Sequence, residues 1–404
     1  MRDLLPGEAA SQEALVGAVL GTFELHGFQQ VGLPAFEYTE VLERGLGAIP
    51  PSSMLRFVEP DTGEVVALRP DMTPQVARLV ATRLSEDLFP ARLSYRGSVL
   101  RRRHERARHD QEVLQAGIEL VGLGGLDADL EVLRATISAV RAAGLADFVL
   151  DLGHGALAPA VLSSVAESLR PGLLEALSLK DQAELVRRAE RSGIDAATVR
   201  ELSLLVELHG DASVFDRGRR GLAARAHGAL GELEALYRRL AEAGLSTQIV
   251  VDLGETRAVA YYTGPMFQIL AEGPGQAVAS GGRYDGLLAA FQLDRPAAGA
   301  AIHIDHLRWA LGQLTLLEPV RALVVAAPAA LAGVDAALDA LRAAQIPSVV
   351  AESDSALDYA RAWRYSHVVR LSEDDSVRLV RVEAASEKDL GVTTLARAIE
   401  LMRG

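Results

Sequence analysis

Apolar side chains near the N-terminus recur at helical spacing. Leu15, Val19 and Phe23 are four residues apart within 8–26, which predicts an amphipathic helix there. Gly27 follows at the position where a glycine commonly ends a helix. Thr73 followed by Pro74 is typical of a helix start and predicts a helix over 73–84, and an amphipathic pattern predicts another over 127–143.

Shorter stretches follow the two-residue period of strands. Residues 92–101 and 113–121 predict two strands, and the segment from 101 to 111, dense in Arg and His, predicts an exposed hairpin loop between them. A Gly-Gly pair at 281–282 predicts a turn that opens a helix. Further strands are predicted over 65–68, 147–151, 248–253, 265–271 and 298–304.

The pattern predicts two domains, 1–316 and 318–404, with Leu317-Glu318-Pro319 as the boundary. Residues 156–245 are rich in Ala and Leu with few strand signals, which predicts a helical insertion in the first domain. After the boundary, strands and helices alternate, as in a small α/β domain. Its strands are predicted over 321–326, 348–351, 367–371 and 377–382, and its helices over 332–344, 355–364 and 393–403.

Composition narrows the classes of function. The chain has 404 residues, 49% of them hydrophobic, and a formal net charge of −13. An acidic balance argues against a nucleic-acid partner, because phosphate contacts need Lys or Arg. The absence of cysteine excludes disulfides, thiolate metal sites and cysteine nucleophiles. With no apolar run of membrane-spanning length and no apolar signal core, we expect a cytoplasmic protein without a membrane partner.

Two segments place acidic and hydroxyl side chains where strands end or are buried. Asp71 and Thr73 stand between a strand and a helix, where they either cap the helix or face a ligand. Gln115 and Glu119 are four residues apart in a strand and therefore share a face. A buried Glu needs a partner, so the pair predicts either an internal ion pair with an arginine or the polar floor of a ligand site.

Two further segments combine polar residues with glycine. Tyr261 and Tyr262 precede a strand and serve either packing or a site, and residues 279–286 are glycine-rich but too short for a phosphate loop. The pairs His303/His306 and His104/His109 lack a third nearby ligand, so no metal is expected. Neither a Walker motif nor G-x-G-x-x-G is present, and we expect no cofactor.

In this order, and with Arg2-Asp3-Leu4-Leu5-Pro6 at the start, these segments resemble the histidyl-tRNA synthetase family of class II synthetases. The resemblance spans residues 1 to about 316 and is weaker in the C-terminal domain. It implies an α+β fold, with a class II synthetase-like antiparallel sheet, helices and a helical insertion. A small C-terminal α/β domain of the anticodon-binding type completes the expected architecture.

The resemblance also implies a histidine pocket. Residues that match the family's pocket are Asp71, Thr73, Arg101, Gln115, Glu119, Arg257, Tyr261 and Tyr262. Carboxylates would accept from the ammonium or imidazole N–H groups, and an arginine would bind the carboxylate.

The ATP side departs from the family. Arg103 stands where the family has a glutamate, Ala260 where it has an aspartate, and His303 where it has a glycine. Three expected arginines are replaced by His104, His109 and His306. Because arginine is the main neutraliser of phosphate charge in such sites, losing several of these groups together predicts that adenylation is lost.

This pattern is similar to the regulatory subunits of short-form ATP phosphoribosyltransferase, in particular at 68–78 and 252–255. The similarity implies a non-catalytic protein that is required by the catalytic subunit and binds histidine as feedback inhibitor of the first step of histidine biosynthesis. It also implies a homodimer, formed around Pro34, within a hetero-oligomer. Two alternatives stay open: an active histidyl-tRNA synthetase, and a synthetase-like protein that binds another amino acid or partner.

Overall fold

A nine-stranded mixed sheet forms the centre of the first of two units into which the chain divides, Met1–Leu314 and Thr315–Gly404. The structure, a computed structural model, describes residues 3–46, 54–100, 112–256, 261–312, 320–352, 355–374, 376–383 and 386–403. Across the sheet the strands are β1 (Gln29–Gln30), β5 (Ala91–Leu100), β6 (Glu112–Val121), β12 (Ala297–His303), β11 (Ala279–Arg283), β10 (Pro265–Leu270), β7 (Val149–His154), β9 (Ile249–Asp252) and β8 (His209–Gly210).

Most neighbouring strands of this sheet are antiparallel. The pairs β1–β5 and β7–β9 are parallel, and the other pairs, including the long β5–β6 hairpin, run in opposite directions. The sheet is packed against α1 (Pro6–Leu25), α4 (Gly125–Ala142) and α11 (Ile304–Ala310). The core includes Leu15, Val19 and Phe23 of α1, as their spacing predicted, and Ile118 of β6. The predicted α+β class is confirmed.

The first unit also contains a smaller three-stranded sheet, formed by residues 36–68. Its strands are β2 (Phe36–Tyr38), β4 (Val65–Leu68) and β3 (Arg56–Val58), followed or preceded by the helices α2 (Thr39–Leu46) and α3 (Thr73–Arg83). Glu37 of β2 is buried and accepts from Arg78 Nε at 2.8 Å, which ties this sheet to α3. Arg69 is buried too, and its guanidinium donates to the carbonyls of Leu33, Pro34 and Ser98.

Residues 156–245 form mainly helices. They are α5 (Leu157–Val161), α6 (Arg170–Ser178), α7 (Gln182–Arg191), α8 (Ala196–Glu207), α9 (Ser213–Gly221) and α10 (His227–Glu242). Asp181 and Asp195 begin α7 and α8, because their carboxylates accept from backbone N–H groups of the first turn. The leucines of α10 recur every three or four residues and are buried in the main core.

The second unit contains a five-stranded sheet. In order the strands are β14 (Ser348–Val350), β13 (Ala322–Ala326), β15 (His367–Leu371), β16 (Val377–Val382) and β17 (Glu387–Thr393), with helices α12 (Val334–Ala343), α13 (Ala356–Ala362) and α14 (Leu395–Arg403). The sequence pattern missed β17. This edge strand is largely exposed and begins with charged residues, so it lacks the apolar alternation that marks a half-buried strand.

The predicted helix-opening turn at Gly281-Gly282 is wrong, because both glycines lie inside β11. A Cβ at Gly281 would lie 2.6 Å from Gly299 O, and one at Gly282 would lie 2.8 Å from Pro265 O. These glycines therefore let neighbouring strands pack closely rather than turn the chain. None of the helices in the described part of the chain is long and apolar enough to cross a membrane.

Candidate functional site

The first unit holds a cavity of about 550 Å³ between its central strands and the start of α3. Two groups of side chains line it. The aromatic end contains Asp71, Thr73, Tyr95, Tyr261, Tyr262 and Tyr284, and the imidazole end contains Gln276, Ala277, His303 and His306. On β6 and β12, Glu119 pairs with Gly299 and Gln115 pairs with His303. Four residues of strand separate these two pairs by about 13 Å.

Glu119 is held at the aromatic end by hydroxyl groups. Thr73 Oγ1 donates to Glu119 Oε1 at 2.8 Å, and Tyr95 OH donates to the same oxygen at 3.3 Å. Asp71 Oδ1 accepts from the backbone N–H of Thr73 at 2.9 Å, so Asp71 fixes the chain at the start of α3. The N-cap position of α3 is Met72, so neither Asp71 nor Thr73 is the capping residue, and both side chains line the cavity.

The second carboxylate oxygen of Glu119 is buried and has no hydrogen-bond partner among the described residues. Gly299 leaves room for it, since a Cβ at Gly299 would lie 1.9 Å from Oε2. The hydroxyl of Tyr284 is also buried without a described partner, and lies 2.6 Å from the same hypothetical Cβ. Buried polar atoms of this kind are expected to be satisfied by a ligand or water.

Burial sets the protonation of this end of the cavity. It raises the pKa of the Glu119 carboxyl well above its usual range, against the lowering effect of the hydrogen bond from Thr73. It also raises the pKa of Tyr95, Tyr261 and Tyr262. At neutral pH these tyrosines are therefore uncharged hydrogen-bonding groups, and burial favours the protonated form of Glu119 unless a cationic group enters.

Three tyrosines in mutual ring contact form one wall of the cavity. The ring centroids of Tyr261 and Tyr284 are 5.2 Å apart, and those of Tyr261 and Tyr262 are 5.1 Å apart, both in edge contacts. Tyr284 follows β11, whereas the other two precede β10. Their rings form an apolar surface, which suits a flat ring as ligand.

Gln115 and Glu119 lie on one face of β6, as their even separation predicted. Gln115 is buried and lines the cavity, and Glu119 is bonded to Thr73. Ile118 and Leu120, by contrast, lie in the main hydrophobic core on the other face. Among the described residues, Glu119 accepts from the hydroxyls of Thr73 and Tyr95 rather than from an arginine.

Two histidines close the other end of the cavity. The Nδ1 atoms of His303 and His306 lie 3.0 and 2.8 Å from the carbonyl oxygen of Ala277. A carbonyl can only accept, so each Nδ1 carries a proton and donates. The two rings are in edge contact with centroids 5.1 Å apart. Among the described residues that line the cavity, none is a lysine or an arginine.

The structure brings six of the eight residues predicted for the site together: Asp71, Thr73, Gln115, Glu119, Tyr261 and Tyr262. Arg101 and Arg257 lie outside the described residues, as do Ala260 and the segment 101–111 with its Arg103, His104 and His109. Tyr95 and Tyr284 were missed. One signal for Tyr95 was Gly117, which pairs with it across β5–β6 and where a Cβ would lie 2.4 Å from the Tyr95 ring.

One group of acidic side chains elsewhere in the described residues has the spacing of a metal site. Carboxylate oxygens of Asp151, Asp252 and Glu255 lie within 4.8 Å of one another. Asp252 accepts from Lys180 Nζ at 2.6 Å and from the backbone N–H of Gly254 at 2.9 Å. Lys180 thus offsets part of the negative charge, and we assign no metal to this group.

The mostly antiparallel sheet and the cavity on its central strands define a class II aminoacyl-tRNA synthetase-like core. Residues 1–307 match the family model described as histidyl-tRNA synthetase. A histidyl-tRNA synthetase from Nostoc sp. shares the fold with a TM-score of 0.80 at 20% identity, over 100% of this chain and 97% of its own.

Curated relatives narrow the family. The "ATP phosphoribosyltransferase regulatory subunit" of Anaeromyxobacter sp. (strain Fw109-5) is 42% identical over 77% of this chain and 91% of its own. That of Moorella thermoacetica is 37% identical over 82% of each chain. A Bacillus halodurans structure described as "ATP phosphoribosyltransferase regulatory subunit/histidyl-tRNA synthetase" has a TM-score of 0.79 at 27% identity, over 92% of this chain and 96% of its own. The chain belongs to the family of ATP phosphoribosyltransferase regulatory subunits.

Proposed function

We propose that this chain assembles with the catalytic subunit of ATP phosphoribosyltransferase, is required for that subunit's activity, and carries its feedback inhibition by histidine. Two observations support this. A relative that carries the regulatory-subunit name is 42% identical over 77% of the chain. The cavity gathers the acidic, amide and hydroxyl groups expected of a histidine pocket, and this observation carries the ligand assignment.

The chemistry of the aromatic end suits histidine. Its ammonium and imidazole N–H groups need acceptors, which Asp71 and the unbonded oxygen of Glu119 supply. The tyrosine rings offer a surface against which the imidazole plane would pack, and Gln115 supplies an amide further along the same cavity. Arg101 and Arg257 are proposed to bind the ligand carboxylate, as the family resemblance implies.

The proposed function includes loss of synthetase chemistry. At the imidazole end His303 and His306 occupy the positions where the family resemblance implies a glycine and an arginine. Both imidazoles are engaged with Ala277 O, and a glycine at 303 would have left that volume open. An imidazole also lacks the two-pronged N–H geometry with which arginine binds phosphate. These differences support a subunit that binds the amino acid without activating it.

The proposed assembly contains a homodimer formed around Pro34. One face of the three-stranded sheet exposes Phe36, Tyr38 and Phe57 by 43%, 50% and 40%. Phe36 and Phe57 are in edge contact at 5.6 Å, so their rings form one continuous patch. Exposed aromatic patches of this kind mark protein contacts, which supports pairing of two chains here.

The deciding experiment measures ATP phosphoribosyl transfer by the cognate catalytic subunit, with and without this protein, over a histidine titration. Activity that requires the protein and falls with histidine is the expected result. Glu119→Gln should keep activation but lose inhibition, while the exposed Glu190→Gln on α7 serves as control. Activity indifferent to this protein would overturn the proposal.

A second candidate, an active histidyl-tRNA synthetase, is favoured by the match of residues 1–307 to the histidyl-tRNA synthetase family model and by the double description of the Bacillus halodurans structure. Histidine-dependent exchange of pyrophosphate into ATP tests it directly. We expect no exchange above background, because the ATP side has lost several groups at once. Exchange at a synthetase-like rate would replace the proposed function with this one.

A further inference from the structure

Arg283, at the end of β11, connects the wall of the cavity to the helical insertion. Its backbone carbonyl accepts from Thr263 N at 2.9 Å and from Gly264 N at 3.1 Å. The following residue, Tyr284, lies in the wall of the cavity with Tyr261 and Tyr262. The backbone of Arg283 therefore fixes the turn that carries two of these tyrosines and the strand end that carries the third.

The side chain of Arg283 is held close to the same turn. A Cβ at Gly264 would lie 2.8 Å from the guanidinium carbon, so the glycine is needed for this approach. Asp285 accepts from Arg283 Nη1 at 2.8 Å, and its backbone N–H donates to Thr263 Oγ1 at 3.0 Å. A displacement of the guanidinium would thus move the turn through both contacts.

Three carboxylates from different elements surround this guanidinium. Besides Asp285, Asp129 of α4 accepts from Arg283 Nε at 3.1 Å, and Glu232 of α10 accepts from Nη2. The side chains of Arg283 and Asp129 are 11% and 5% exposed, whereas Glu232 is 52% exposed. Glu232 is thus the contact that belongs to the insertion and faces solvent.

Two basic side chains lie near Glu232, those of Arg283 and His154. His154 Nδ1 accepts from the backbone N–H of Ala156 at 3.1 Å, so a neutral His154 carries its proton on Nε2, which lies 3.6 Å from Glu232. Burial lowers the pKa of His154 to about 4, so this imidazole is neutral at pH 7. Arg283 is therefore the described cation that pairs with Glu232.

From this geometry we propose that Arg283 is a positioning residue for the ligand cavity, and that Glu232 couples the docking of α10 to the affinity of the cavity. The proposal rests on the proposed histidine function. Ligand that packs against Tyr261, Tyr262 and Tyr284 requires the turn in one position, and the pair Glu232–Arg283 stabilises that position from the insertion. Glu232 is half-exposed, and without it Arg283 keeps Asp129 and Asp285 as partners, so removal of this pair should act on affinity rather than on folding.

The test is calorimetric titration of the full chain with histidine, for wild type, Glu232→Gln and the control Glu242→Gln. Glu242 lies on the same helix in an exposed pair with Arg239 at 3.7 Å. We expect Glu232→Gln to weaken histidine binding about fivefold or more, with the control unchanged. The thermal midpoint without ligand should be the same for all three proteins, which separates positioning from unfolding.

Arg283→Lys gives a second measurement. Lysine keeps the charge but cannot contact three carboxylates in one plane, so we expect weaker histidine binding than in Glu232→Gln. Wild-type affinity in Glu232→Gln would overturn the inference and leave the proposed function intact. If the wild type itself does not bind histidine, the proposed function fails, and the inference fails with it.

Discussion

Thr73 Oγ1 donates a 2.8 Å hydrogen bond to Glu119 Oε1, and so connects the start of α3 to β6 across 46 residues of sequence. Thr73→Val keeps the shape of the side chain but leaves Glu119 without this donor. Because Tyr95 still donates to the same oxygen, we expect it to weaken histidine binding by ~0.5–1.5 kcal/mol, the usual net contribution of one hydrogen bond.

Titration calorimetry of Thr73→Val measures this effect. The matched control is Thr82→Val on the same helix, where the exposed hydroxyl only donates to Arg78 O. Histidine affinity in Thr73→Val equal to that of the control would remove Glu119 from the proposed pocket.

Gly299 allows Glu119 and Tyr284 to lie next to β12. In Gly299→Ala the new methyl group would lie 1.9 Å from Glu119 Oε2 and 2.6 Å from Tyr284 OH. We expect a loss of ~1–3 kcal/mol in the free energy of unfolding, as for other overpacked sites, and loss of histidine binding. Gly286→Ala, where a Cβ meets nothing within 4 Å, is the control for denaturant unfolding and titration.

The proposed homodimer depends on the aromatic patch of the three-stranded sheet. Phe57→Asp places a charge next to Phe36 at the centre of the patch. Since burying an unpaired charge is costly, we expect the dimer to dissociate into monomers. Sedimentation velocity measures the mass, and Leu179→Asp, at an apolar side chain 71% exposed elsewhere in the first unit, should leave it unchanged. A dimer in Phe57→Asp would contradict this interface.

His367 makes the stability of the second unit depend on pH. Burial, with a smaller effect of the Arg381 charge, lowers the pKa of His367 from 6.5 to about 4. Its neutral form is therefore favoured in the folded state. The neutral imidazole contributes up to about 3 kcal/mol to the free energy of unfolding. This contribution is complete above pH 6.5 and is lost as the pH falls towards 4.

Hydrogen exchange of β15 in the full chain, corrected for the intrinsic pH effect, tests this expectation. Protection should fall between pH 6.5 and 4 in the wild type. His367→Gln should flatten the dependence, whereas the exposed His209→Gln in the first unit should keep it. Equal pH dependence in His367→Gln and wild type would contradict the assignment.

Much of the first unit follows from local patterns in the sequence. The spacing of Leu15, Val19 and Phe23 predicted α1, and the two-residue period of β5 and β6 predicted the strands and the shared face of Gln115 and Glu119. These features depend on how successive side chains alternate along one element, which the sequence displays directly.

The site was predicted in part. Of the residues identified from the resemblance, Asp71, Thr73 and Gln115 line one cavity, and Glu119 is bonded to Thr73 in its wall. Tyr95 was missed because a tyrosine within a strand looks the same in the sequence whether it packs or lines a site. The glycine that makes room for its ring, Gly117, lies opposite it on another strand, and the sequence does not show that pairing.

The sequence by itself determined the family, the α+β class and most elements, because these depend on residue order and local period. Only the tertiary structure decided that Gly281 and Gly282 lie inside a strand, since the atoms that exclude a Cβ there belong to β10 and β12. It likewise decided that Arg283 meets Asp129 and Glu232, which are 154 and 51 residues away in sequence. Contacts between distant segments depend on how elements pack, and local pattern carries no record of that packing.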